Sequence, residues 1–84
     1  MKVECGDLLS FNGKKYITLE KVMYCNKMYL FVNEVFNDDF VSDNYYIFEL
    51  KDDSIVIIND VDLGKILLPK FQKLLIKDID LLFS

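Results

Sequence analysis

The sequence predicts an α+β domain in which about five short antiparallel strands form a curled sheet, an SH3-like small barrel being one form of it, closed by a C-terminal helix. Three observations carry that prediction. Apolar residues alternate with polar ones up to about residue 58, turn pairs punctuate the alternation, and from Asp60 onward the apolar spacing changes to three and four. The chain has 84 residues, too few to supply a second core, so residues 1–84 are expected to form one domain with strands within 7–58 and a helix over about 60–82.

The first strand is expected in Asp7-Leu8-Leu9-Ser10-Phe11 and the second in Lys14-Lys15-Tyr16-Ile17-Thr18-Leu19, joined by Asn12-Gly13. Both turn residues tolerate the positive φ that a type I′ hairpin needs. Ile17 and Leu19 would share one face, but Val22, Met23 and Tyr24 fall out of phase with them, which calls for a β-bulge or bend across Glu20-Lys21. Asn26-Lys27 marks the next turn. Met28-Tyr29-Leu30-Phe31-Val32 is apolar on both faces, as a central strand between two apolar layers should be. An acidic loop over residues 37–44 follows, then a strand Tyr45 to Leu50, a turn at Lys51-Asp52-Asp53-Ser54, and the β-branched run Ile55-Val56-Ile57-Ile58. The second and third strands, and the fourth and fifth, are expected to pair as hairpins.

In the helical stretch, Leu63, Ile66, Leu67, Phe71, Leu74, Leu75, Ile79 and Leu82 form one apolar stripe, with Asn59, Asp60 and Asp62 as the candidate N-caps. Pro69 lacks an amide proton and crowds the preceding turn, so a kink or two helical pieces meeting near Leu68 are expected.

The order of these elements resembles a group of small β-rich proteins, without an assigned activity, of low-GC Gram-positive bacteria and their mobile elements. The stretches that carry the resemblance are G-D-L-L, K-K-Y-I-T-L-E-K-V leading to Y-C-N-K-M-Y-L-F-V, and D-D-S-I-V-I-I-N-D-V-D-L before L-L-P-K-F. It covers most of the chain and implies a β-rich domain closed by a helix. It implies no reaction. The segment 37–44 is longer and more polar than that pattern.

Composition narrows the function classes. There is no histidine, so no Ser-His-Asp or Cys-His unit can be drawn. Neither a phosphate-cradling glycine loop nor a calcium-loop spacing around Asp38, Asp39 and Asp43 occurs, and no metal or cofactor is expected. Paired carboxylates alone need a substrate cleft that so short a chain has little volume to build. An enzyme is therefore not expected. Cys5 and Cys25 have no C-x-x-C spacing and read as buried or idle thiols of a cytoplasmic protein. No apolar run is long enough for a membrane span, and M-K-V-E-C-G-D lacks the apolar stretch of a signal peptide.

Charge is divided unevenly. Between Glu34 and Asp62 nine acids face Lys51 alone, a net of minus eight, while the remainder of the chain carries plus four. The bland explanation is that acids in turns and on outward positions keep an apolar sheet soluble and its edges unpaired. The functional one is a face for a basic partner, whose approach relieves self-repulsion and speeds association. Aromatics among acids are common interface anchors. Glu34, Phe36, Asp38, Asp39, Phe40, Asp43, Tyr45, Asp52 and Asp53 are the candidate partner-binding residues.

Direct nucleic-acid binding is disfavoured by the net charge of minus four and the absence of arginine. The specific expectation is a phage or mobile-element inhibitor of a host nucleic-acid-binding defence enzyme, such as a CRISPR effector, with carboxylates in the place of phosphates. The second reading is a self-associating assembly protein that uses its helix stripe or a strand edge.

Overall fold

Two hairpins are set by four residues with positive φ: Asn12 at 52° and Gly13 at 76°, then Cys25 at 51° and Asn26 at 63°. Both pairs fit the I′ turn, whose twist matches that of the flanking strands. The second turn lies one residue earlier than Asn26-Lys27, because a two-residue loop closed by the Tyr24–Lys27 pair puts Lys27 inside the next strand. In the computed structural model, which describes residues 2–36, 40–52 and 54–83 (backbone alone for 40–43 and 77–83), the elements are β1 Leu8–Phe11, β2 Lys14–Tyr24, β3 Lys27–Phe36, β4 Phe40–Leu50, β5 Ile55–Ile57 and α1 Val61–Phe83.

The strands form one antiparallel sheet in the order β1-β2-β3-β4-β5. Its curl is evident from packing. Leu9 and Phe11 of β1 and Ile55 and Ile57 of β5, from opposite margins of the sheet, meet one cluster of Val3, Tyr16, Leu30, Val32 and Phe48. The Phe11 and Phe48 rings come within 5.6 Å. The sheet is a curled half-barrel whose concave side is filled by its own strands.

β3 is buried on both faces, as its sequence predicts. Leu30 and Val32 enter the concave cluster, while Tyr29 and Phe31 enter a second one with Ile47, Leu67 and Phe71 beneath α1. The bulge in β2 explains how that strand serves both. Pairing moves from Thr18–Val32 to Glu20–Phe31 and skips Leu19, one residue before the expected position. Tyr16 then faces the concave cluster while Val22 and Tyr24, of the same parity, face the helix.

The region after β3 departs from expectation. Residues 40–44 belong to β4 rather than to a loop, and residues 37–39 lie outside the described residues. Register passes from Asn33–Tyr45 to Val35–Val41, so β4 carries two more residues than β3 across this interval. Asn33 Nδ2 donates to the Asn44 carbonyl at 3.2 Å within it.

Asp60 is the N-cap of α1: its Oδ1 accepts from Asp62 N at 3.0 Å and Leu63 N at 3.3 Å. The helix is one element through Pro69 rather than two pieces. Pro69 and Lys65 are both exposed, so water can reach the Lys65 carbonyl that proline leaves without its helical donor, while buried Leu67 and Phe71 hold the turns on either side. The apolar stripe is narrower than expected. Leu63, Leu67 and Phe71 pack inward, Leu74 and Leu75 are half-buried, and Ile66 is exposed. No described helix is long and apolar enough to cross a membrane.

Candidate functional site

The sequence-predicted partner residues do not form one patch. Asp52 lies in the β4–β5 turn, whereas Phe36 and Phe40 pair at the other end of β4, roughly 30 Å away at ordinary strand rise. Asp38, Asp39 and Asp53 lie outside the described residues, as do the side chains of Phe40 and Asp43.

Glu34 corrects the picture of an exposed acidic face. It is only 2% exposed, lies opposite Tyr16 in the β2–β3 register, and has Lys14 Nζ at 3.5 Å from Oε1 and Asn44 Nδ2 donating to Oε2 at 3.5 Å. Tyr16 and Lys14 of β2 and Asn44 of β4 stand around it, and its burial removes it from any outer surface. Together with burial, its carboxylate holds the Tyr16 hydroxyl above the ordinary tyrosine pKa, burial being the larger cause. Glu49, with Lys51 at 3.9 Å, and Glu20, which accepts from Cys5 Sγ at 3.8 Å, are buried as well. A strand-borne acid does not announce its burial in sequence. Among the described residues, the exposed acids of the 34–62 segment are Asp52, Asp60 and Asp62.

The two aromatic candidates with described side chains do reach solvent: Phe36 is 45% and Tyr45 53% exposed. Tyr45 is fixed from below. Its ring stacks on Phe31 at 5.5 Å with 5° between planes, and Phe31 stacks on Phe71 at 5.3 Å. Three rings thus run from the buried helix contact to the surface. Beside them opens a cleft of about 440 Å³ lined by Phe31, Tyr45, Tyr46, Ile47, Ile58 and Leu68.

Of these lining residues Tyr45 belongs to the partner-binding set read from the sequence and Tyr46 to the same run of aromatics among acids, while Phe31, Ile47, Ile58 and Leu68 were missed. A signal for Leu68 existed: it stands next to Leu67 and so cannot share the stripe's inner face. Tyr46 belongs by alternation to the concave side with Val32 and Phe48, yet it also lines the cleft, which therefore reaches around the outer margin of β4.

A second hollow of about 310 Å³ is lined by Lys2, Val3, Lys21, Met28, Leu50, Lys51 and Asp52. Its cations are already engaged: Lys21 and Lys2 lie at 2.9 Å and 4.0 Å from Glu4, and Lys51 pairs with Glu49. The electrostatics there are close to balanced, unlike those of an anion site. Cys5 and Cys25 are unbridged and exposed, not buried, Cys25 because a positive-φ turn position projects it outward. Comparison of the chain with protein-family models, with curated proteins and with solved structures finds no match.

Proposed function

We propose that the protein is a non-enzymatic, cytoplasmic protein-binding module that engages its partner through Tyr45, Phe36 and the neighbouring acid-rich margin of β4. The observation that carries this reading is Tyr45, half in solvent and stacked through half-buried Phe31 on buried Phe71, beside an apolar cleft. Rigid aromatic anchors lose little entropy on binding, and a pocket beside one is a usual place for a partner's side chain. Asp38, Asp39 and Asp43, between Phe36 and Tyr45 in the sequence, favour a basic partner. In its specific form the proposal is a phage or mobile-element inhibitor of a host nucleic-acid-binding defence enzyme, anti-CRISPR-like, in keeping with the resemblance to small proteins of low-GC Gram-positive bacteria. An SH3-like curl and a bend of α1 at Pro69 belong to the same proposal.

The test is capture from nuclease-treated lysate of such a bacterium, comparing the native protein with the triple reversal Asp38→Lys, Asp39→Lys, Asp43→Lys. The native protein should retain a basic nucleic-acid-binding protein that elutes at moderate salt. The reversed variant should lose it with its melting temperature nearly unchanged, and equal retention by both would sink the reading.

A second reading, self-association into an assembly, draws on the exposure of Ile66 at 43%, Leu68 at 42% and Ile76 at 59% along α1. Sedimentation over a range of concentrations separates the two, since a monomer at the highest concentration excludes the assembly.

A further inference from the structure

We infer that the outer edge of β4 at Tyr45, just past the last bond to Ile47, takes up an extended, basic segment of the partner as an added strand; this rests on the partner-binding reading above and names the form of the ligand.

β4 spans Phe40–Leu50, but β5 pairs only with Phe48 to Leu50. One further bond, from Ile58 N to the Ile47 carbonyl at 2.9 Å, prolongs the ladder. The next step would set residue 60 opposite Tyr45. Asp60 instead caps α1, and the chain turns away.

Backbone groups two residues apart in a strand point to the same side. Ile47 faces β5, so the Tyr45 N–H and C=O face the same outer edge, and among the described residues no strand pairs with them there. The Asn44 carbonyl points the opposite way, to Asn33 Nδ2, as this alternation requires. An open edge with a cleft along it is the geometry of recognition by strand addition, where backbone bonds supply affinity and pockets for alternate side chains supply specificity.

The cleft meets that requirement on both sides of the strand. Tyr45 and Ile47 line it from the helix side and Tyr46 from the other, with Ile58 and Leu68 completing the lining. An incoming strand would place every second side chain beside Tyr45, in the cleft that Leu68 lines, so those side chains should be apolar. Its remaining side chains should be cationic, because Asp60 and Asp62 are both exposed where the chain leaves Ile58 at the end of this edge. A second copy's β1 is a poor match: Leu8-Leu9-Ser10-Phe11 has no cation and follows Asp7.

The probe is a labelled peptide of alternating lysine and valine, with an alternating glutamate and valine peptide as its counterpart. The lysine peptide should slow hydrogen exchange at the Tyr45 amide and shift the resonances of Ile58 and Leu68. Tyr45→Pro removes the outward donor at a position where a strand edge accepts proline, and should weaken binding about tenfold or more, the worth of one backbone bond and the ring contact. If Tyr45→Pro fails to fold, exchange in the native protein decides alone. An unaltered Tyr45 amide, or an equal response to the glutamate peptide, overturns the inference. Tyr45 protection that grows with protein concentration in the absence of peptide overturns it too, in favour of a second copy. Loss of the captured partner on charge reversal but not in Tyr45→Pro would refute the added strand and leave partner binding standing. Tyr45 protection by the lysine peptide, with capture insensitive to charge reversal, would support the added strand without that broader reading.

Discussion

On the concave side of the sheet, Leu30, Val32 and Phe48 are wholly buried, and Tyr16 and Val3 close over them; on the helix side, Leu67 and Phe71 are buried as deeply, yet their ring stack ends at Tyr45, half in solvent. Both clusters draw on β3. They differ in what covers them. Curling brings β1, β5 and the N-terminal segment around the concave cluster, so the sheet supplies its own lid. The opposite side has only α1, and one helix about 10 Å wide cannot cover five strands that together span about 19 Å. The uncovered strip falls at β4, where β5 is too short to help. Enclosure is therefore fuller on the concave side of the sheet, and a solvent-facing aromatic strip is left on the other.

The sharpest way to break this comparison is to make the same cut on each side. Phe48 and Phe71 are both 0% exposed. Phe48→Ala should cost about 4–5 kcal/mol, since strands on every side prevent the cavity from collapsing, and Phe71→Ala about 3 kcal/mol, since α1 can settle towards the sheet. Chemical denaturation measures both. Equal losses would mean that the helix side is as rigidly enclosed as the concave one.

A smaller cut isolates the helix. Asp60→Ala removes the acceptor for the Asp62 and Leu63 amides and should cost about 1 kcal/mol. Hydrogen exchange should quicken in the first turn of α1 while the amides of Leu30 and Val32 stay protected. Uniform quickening would show that the two clusters unfold as one unit and that the distinction between them is geometric only.

Much of this arrangement was legible in the residues. Asn12-Gly13 specifies its turn through backbone sterics, the two-faced run Met28 to Val32 specifies a central strand, and the loss of phase after Leu19 specifies a bulge within one residue. Local chemistry settles such features. What was not legible depends on which strand lies beside which. Glu34 looks like any exposed acid until β2 and β4 flank it, and Asp52 looks adjacent to the acids near residue 40 until β4 runs straight between them. The turn at Cys25-Asn26 was misplaced because cysteine carries no strong turn preference. The cleft was illegible for the same reason as Glu34, because Tyr46, Ile58 and Leu68 meet only through the fold.

The smallest effect concerns the strap that seals the concave side. Lys21 Nζ donates to Glu4 Oε2 at 2.9 Å and to the Val3 carbonyl at 3.4 Å, tying the N-terminal segment to β2 while Val3 plugs the cluster. The bond from Lys21 holds the Glu4 carboxyl below the usual glutamate value of 4.5, and the bond to Glu4 holds Lys21 above its usual 10.5. The signs follow from linkage. Glu4's contribution is present above 4.5 and lost as pH falls through its lower folded value; Lys21's is present below 10.5 and lost as pH rises through its higher folded value. Both groups are solvent-accessible, so the tether is weak and screened by salt. Lys21→Met should flatten the fall in melting temperature with acid relative to the native protein, with the difference confined to the range below the usual glutamate value and reduced by added salt. An identical acid limb in the two proteins would mean that Val3 is held by its apolar contacts alone, and the seal over the concave side would then owe nothing to this ion pair.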